Sequence, residues 1–265
     1  MSLAVQAHGL VKHFKAQGGV VEAVRGVDLA VSAGEIFGFL GPNGAGKSTT
    51  VRMLTTLSSI TAGSAHVAGV DVSADPSGAR RKIGVALQDA GLDPRQNGRE
   101  LLELQARLFG MSASTAAARA QELLELVELT DAAERRIKGY SGGMKRRLDL
   151  ASALVHRPEV LFLDEPTTGL DPASRLVVWD EVRRINQAGT TVFLTTQYLE
   201  EADQLCDRLA IIDAGRIVRE GTPTELKAEL RQRRSWDRDP TLDEVFLDAT
   251  GRTRERGAGD VQEVG

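Results

Sequence analysis

The apolar residues of this chain follow two different periods. Four short runs are apolar almost throughout: Ile36–Leu40 (IFGFL), Val160–Leu163 (VLFL), Thr191–Leu194 (TVFL) and Leu209–Asp213 (LAIID). Runs this short without polar alternation predict strands buried on both faces of a sheet. Elsewhere the spacing is helical. Leu101, Leu104, Gln105 and Leu108 share one face, and Ala120, Leu123, Leu124 and Val127 another. The pattern predicts helices over roughly 98–111 and 114–129, with no strong strand between them. They read as a helical insertion, about 90–157, in an α/β core.

The pattern changes after about Gly221. The run RQRRSWDRD at Arg231–Asp239 reads as a solvated linker. The segment PTLDEVFLDATG then predicts a short amphipathic helix at 241–248, with Leu242, Val245 and Phe246 on one face. Such a helix is marginal in water and needs a surface, either its own core or a partner chain. The polar end after Gly251 reads as a flexible tail. The expected division is a domain over 1–225 and an extension over 226–265.

Composition narrows the class. The 265 residues are 42% hydrophobic and 26% charged, an ordinary globular balance. A net charge of −4 excludes a generally basic nucleic-acid-coating protein, and no nucleic-acid partner is expected. Cys206 is the single cysteine, so an intrachain disulfide is excluded. There is no His/Cys cluster of zinc-ligand spacing, and no zinc is expected. No apolar run reaches the roughly 18 residues of a membrane span, and the first residues lack a secretory pattern. A soluble chain is expected. If it works at a membrane, a partner must hold it there.

Two motifs carry phosphate chemistry. Gly41–Ser48, GPNGAGKS, follows a predicted strand and opens a predicted helix over about 47–57, the context that the phosphate-loop (Walker A) pattern requires. Gly41, Pro42, Asn43, Gly44, Ala45 and Gly46 would form a loop whose amides face phosphate oxygens at a helix N-terminus. Gly44 and Gly46 permit the backbone angles that this needs. Lys47 would reach the β- and γ-phosphates, Ser48 would ligate Mg2+, and Thr49 adds a phosphate contact. The second motif, VLFLDE, ends a buried strand with two carboxylates. Asp164 would orient the metal's water shell, and Glu165 would polarise the attacking water.

Ser141–Lys145, SGGMK, followed by a helix to about His156, narrows the class further. With it the chain resembles the ATPases of ABC transporters over about 3–225. The resemblance comprises the phosphate loop, Gln88, SGGMK, VLFLDE, Gly169–Leu170–Asp171 and Thr195–Thr196–Gln197 in the expected order. It implies an α/β phosphate-loop NTPase core of ABC type with ATP and Mg2+ as ligands. It further implies a homodimer in the ATP-bound state, where Ser141 and Gly143 of one copy contact the γ-phosphate held by the other. Asp171 would lie at that dimer interface, and Phe14 would stack on adenine. Gln88 would touch Mg2+ and sense an integral membrane permease subunit. That places the protein peripherally, on the cytoplasmic side of the cell membrane.

One position departs from the family pattern. A histidine usually follows the last core strand and contacts the γ-phosphate. Here Gln197 stands there, and it can donate a hydrogen bond but cannot become a cation. A charged partner is worth about 1.5–3 kcal/mol against about 0.5–1.5 for a neutral one. Hydrolysis roughly tenfold slower than with histidine is expected. TTQYLEEADQLCDR, VRMLTTL and PTLDEVFLDATG resemble drug-exporter ATPases of the daunorubicin/doxorubicin-resistance type. Export of a lipid or other non-drug compound, and a soluble ATPase acting on ribosomes or nucleic acid, remain the alternatives.

Overall fold

The apolar runs become the centre of a parallel sheet. The computed structural model describes residues 2–16, 19–87 and 91–251. Its first half contains β1 (Leu3–Ala16), β2 (Gly19–Ser32), β3 (Ile36–Leu40), α1 (Lys47–Leu54), β4 (Ala62–Val67), β5 (Val70–Asp71), α2 (Pro76–Lys82) and β6 (Ile83–Ala86). The helical insertion follows as α3 (Gly98–Leu108), α4 (Ala113–Leu126) and α5 (Gly142–Ala153). The chain then forms β7 (Val160–Asp164), α6 (Pro172–Gln187), β8 (Thr191–Thr196), α7 (Leu199–Leu205), β9 (Arg208–Asp213) and β10 (Arg216–Gly221). It closes with α8 (Pro223–Arg234) and α9 (Leu242–Thr250).

Two sheets result. β2-β1-β4-β5 is antiparallel, and β10-β9-β3-β8-β7-β6 is parallel except for its edge strand β10. The larger sheet is covered on both faces, which explains its unalternated strands. Phe37, Phe39, Phe162 and Phe193 pack toward α1 and the smaller sheet, with ring centroids 5.3–5.6 Å apart around Phe193. Leu40, Leu161, Leu163, Val192 and Leu194 face the other core, which includes α3–α7. Because β3, β7 and β8 are parallel neighbours, their C-terminal ends deliver loops 41–46, 165–171 and residue 197 to one edge of the sheet. Ligands bind at such edges in open α/β folds.

The helix ends differ from the sequence expectation in a consistent way. α3 stops at Leu108 because Gly110 turns the chain at φ +87°, and α4 stops at Leu126 before Glu128 at φ +53°. The C-terminal part differs more. α8 runs continuously through 225–226, where a division was expected, and is fixed at its start by a Thr222/Glu225 capping box. The arginine run is solvated as expected, but only its second half is a connection: residues 231–234 belong to α8, and Arg231 pairs with Asp239, Arg233 and Arg234 with Asp248, and Arg238 with Glu244. The Arg233 and Arg234 pairs join α8 to α9, whereas Arg231 pairs within the run and Arg238 ties the connection between the helices to α9. Leu242 and Val245 are buried in the core, and Phe246 packs against it, with α9 lying on α7, β9 and β10. Of the two surfaces open to this stripe, the chain's own core is the one that it packs on.

Glu181 on α6 is 1% exposed, and neither of its carboxylate oxygens has a hydrogen-bond partner among the described residues. Burial raises its pKa to about 7, opposed by Arg184 and Arg147. A raised carboxyl pKa gives stability that is full below the unfolded value, near 4.5, and is lost as pH climbs through 7. Glu181→Gln should therefore match the parent at pH 4.5 and exceed it at pH 8. At about 1.4 kcal/mol per pKa unit the gain is on the order of 2–3 kcal/mol. Urea midpoints at the two pH values check it. An equal difference at both would show that ionisation is not what matters there.

Candidate functional site

The loop 41–46 turns on glycines for distinct reasons. A Cβ at Gly41 would lie 2.4 Å from the Ile212 carbonyl oxygen, and one at Gly46 would lie 2.6 Å from that of Ala23. Gly44 instead needs its left-handed φ of +80°. Pro42 and Ala45 close the turn, the Ala45 amide donating to the Pro42 carbonyl at 3.1 Å. Gly46 then caps α1 at φ +110°, with no side-chain cap hydrogen bond to the helix's first amides among the described residues. Those amides are the donors that a bound anion would use.

Lys47 is 5% exposed. Its Nζ donates to the carbonyls of Gly41 (2.7 Å) and Pro42 (3.3 Å), and lies 3.7 Å from Glu165 Oε1. Burial lowers the Lys47 pKa from the usual lysine range, opposed by Glu165 and Asp164. The Ser48 hydroxyl donates to Asp164 Oδ1 at 3.2 Å, and the Thr195 hydroxyl donates to the same oxygen at 2.5 Å. Ser48 and Asp164 thus present neighbouring hard oxygens, the donor chemistry that suits Mg2+. Asn43, Gly44, Gly46, Lys47, Ser48 and Thr49 line a cleft of about 350 Å3. Glu165, the exposed Gln197 and Ala23 of β2 complete its wall.

Glu165 occupies an uncommon backbone position for a residue with a side chain, φ +50°. Its amide donates to the carbonyl and hydroxyl of Thr195 (3.0 and 3.1 Å), and Thr168 Oγ1 donates to its Oε2 at 3.2 Å. The end of β8 thus fixes the Glu165 backbone, and Thr168 of its own loop fixes the carboxylate at the cleft wall.

The remaining expected residues gather elsewhere. Ser141 caps α5 by accepting from the Met144 amide, and it is exposed. A Cβ on Gly143 would come 3.2 Å from Ser174 Oγ, and Ser174 in turn bonds Asp171, the cap of α6. That bond holds the Asp171 carboxyl below its usual pKa. Ser141, Gly143 and Asp171 thus form a second surface and do not line the cleft that holds Lys47. Phe14 is 44% exposed on β1, opposite Val21, and Lys12 Nζ lies 5.1 Å from its ring centroid. Gln88 lies outside the described residues. Just before it, Leu87 joins Leu57, Val85, Leu108, Phe109 and His156 around an apolar groove of about 480 Å3. Phe109 and His156 stack there at 4.1 Å and 7°.

Four residues of the site had no role in the sequence reading. Thr195 and Thr168 hold Asp164 and Glu165. Glu201, fully buried, accepts from Thr167 and Trp179, both at 2.9 Å, and so ties the 165–171 loop to α6 and α7. Arg146 is buried against four acceptors. Thr195 and Glu201 stood within recognised motifs without a role of their own, whereas Arg146 left a trace in the helical period. With Asp149, Leu150 and Ala153 it completes an i, i+3, i+4, i+7 face, and a charged pair on such a face is buried or misplaced.

The ABC transporter family profile matches residues 24–168. The chain is 54% identical over 227 residues to the daunorubicin/doxorubicin resistance ATP-binding protein of Streptomyces peucetius, covering 86% of this chain and 68% of that protein. It is 47% identical over 203 residues to a Nod factor export ATP-binding protein of Burkholderia lata, covering 77% of this chain and 67% of that protein. The fold matches a dimeric ATP-binding cassette in a post-hydrolysis state with ADP and Pi, at a TM-score of 0.76 and 27% identity, over 82% of this chain and 98% of that one. The motifs, their geometry and these likenesses agree: the chain belongs to the ABC transporter family, as one of its ATPase cassettes.

Proposed function

We propose that this chain is the motor subunit of an exporter that removes a drug-like or antibiotic-like compound through a separate membrane subunit. The drug-like cargo rests on the 54% identity to the daunorubicin/doxorubicin resistance protein, and the observation that carries the motor role is the separation of the chain's two candidate anion-binding ends. The Lys47–Glu165 cleft and the Ser141–Gly143–Asp171 surface are distinct faces of one chain. A head-to-tail homodimer lets each copy's second surface close the other's cleft. The solved relative, a dimer with ADP and Pi, supports that arrangement.

In this reading Phe14, with Val21 beside it, offers the adenine an apolar surface. The amides of 41–46, Lys47 and Thr49 hold the phosphates. Ser48, Asp164 and Gln88 would hold Mg2+, which supplies charge neutralisation between the β- and γ-phosphate oxygens when bound. Glu165 takes the proton of the attacking water as general base. Gln197, on the cleft wall, donates an amide hydrogen bond to the γ-phosphate. The apolar groove beside Leu87 suits a helix of the membrane subunit, since Leu108 there is 78% exposed. No helix of the described residues is long and apolar enough to cross a membrane, so attachment through that groove would keep the subunit at the cytoplasmic face.

The test is to co-express the chain with candidate membrane subunits and follow its membrane recruitment and the cells' doxorubicin content. The expected result is recruitment by one subunit and lower accumulation, lost with Glu165→Gln. Recruitment without any change in doxorubicin would favour a non-drug cargo, as the Nod factor relative would suggest. Gln197→His supplies a separate check. A histidine at this position should hold or raise turnover, up to roughly tenfold where imidazole is charged. An unchanged rate and pH profile would remove Gln197 from the γ-phosphate.

A further inference from the structure

Arg146 lies on α5, one turn beyond Gly142 and Gly143, and is 9% exposed. Its guanidinium spends its donors on backbone. Nε donates to the Pro166 carbonyl at 2.8 Å, Nη2 to the Asp164 carbonyl at 3.2 Å and Nη1 to the Leu87 carbonyl at 2.5 Å. Nη1 also reaches Asp149 Oδ2 at 3.2 Å. Two of these carbonyls flank Glu165, whose peptide sits in the left-handed region at φ +50°. A residue with a Cβ stays there only when its surroundings over-determine it. Thr195 holds the Glu165 amide from one side, and Arg146 holds both neighbouring carbonyls from the other. The third carbonyl, of Leu87, belongs to the apolar groove and precedes Gln88.

We propose that Arg146 is a positioning residue for hydrolysis, holding the Glu165 turn in its strained geometry and tying that turn to the segment that enters Gln88. The inference rests on Glu165 as the catalytic base. A planar fork of fixed donors suits this task, because carbonyls in three directions are met at once. An ammonium is a single point and reaches them only in part. Movement of the groove wall at Leu87 would thus be felt at Glu165 through one side chain. The acceptors of Arg146 include no atom of the phosphate loop, so ATP binding by one copy does not depend on it.

The test is the steady-state ATPase rate of Arg146→Lys beside the parent. The expected result is a folded protein with KM for ATP within about twofold and kcat at least tenfold lower. Because removing one member of the buried Arg146–Asp149 pair risks the fold, Arg146→Met/Asp149→Leu removes both together. It should show the same split. A second measurement separates aim from scaffold. Arg146→Lys in a Glu165→Gln background should still form the nucleotide-bound dimer on gel filtration with ATP, since that assembly does not need the base. A kcat near the parent's would overturn the proposal. So would a parallel rise in KM, loss of the trapped dimer, or failure of both variants to fold. An inactive parent would instead count against the hydrolytic reading itself, leaving these outcomes distinguishable.

Discussion

Glu165→Gln is expected to lower ATP turnover by roughly 10²–10⁴-fold, the range a general base supplies. The substitution keeps the size of the side chain and one oxygen for Thr168 to bond, so the turn at φ +50° has no new strain to absorb. What disappears is the acceptor for a proton. Lys47, 3.7 Å away, loses a counter-charge and becomes freer to meet phosphate. ATP affinity should hold or rise, and the nucleotide-bound dimer should accumulate. Phosphate release and gel filtration with ATP check the two halves separately. Parent-like turnover would remove Glu165 as the base, and normal dimer decay with lost turnover would place the defect elsewhere.

The parts of this fold that read clearly in the sequence are those in which one physical requirement dominates. β3, β7, β8 and β9 are buried on both faces, so nearly every residue is apolar and the strands stand out. β1 and β2 did not stand out. Their alternation is half exposed, and register shifts between Ala7 and Leu10 and between Lys12 and His13 break the period of two. The phosphate loop was legible because its glycines, lysine and serine answer one ligand. The role of Arg146 was not, because its partners are carbonyls at Leu87, Asp164 and Pro166: the helical period marks the residue as buried, but backbone acceptors leave no mark on composition. The same blindness explains α8 and α9. Arg233, Arg234 and Arg238 read as a solvated run because their partners, Asp248 and Glu244, sit in the next segment, where nothing local ties them together. Exposed pairs of this kind are worth only about 0–1 kcal/mol each. The burial of Leu242 and Val245 is the larger contribution to fixing α9.

Lys47→Ala should fail at an earlier step than Glu165→Gln. In the cleft the ammonium is buried beside two carboxylates, Glu165 at 3.7 Å and Asp164 beyond it. Its removal leaves two negative groups facing the phosphates with no lysine between them. At about 4 Å and an effective dielectric near 20, one charge pair is worth about 4 kcal/mol before desolvation. A net loss of 2–4 kcal/mol corresponds to roughly 30- to 1000-fold weaker binding. The apo fold should suffer little, since Lys47 serves Gly41 and Pro42 with two hydrogen bonds that water can replace at this open edge. Thermal denaturation with and without ATP reads this directly. At a concentration 100 times the parent dissociation constant, ATP stabilises the parent by about 2.7 kcal/mol. After a 100-fold loss of affinity the same concentration gives only about 0.4 kcal/mol. Glu165→Gln should keep the full ATP-dependent shift while Lys47→Ala loses it. An alanine variant that retained the shift would mean that the loop amides alone hold the phosphates, and that Lys47 acts only after binding.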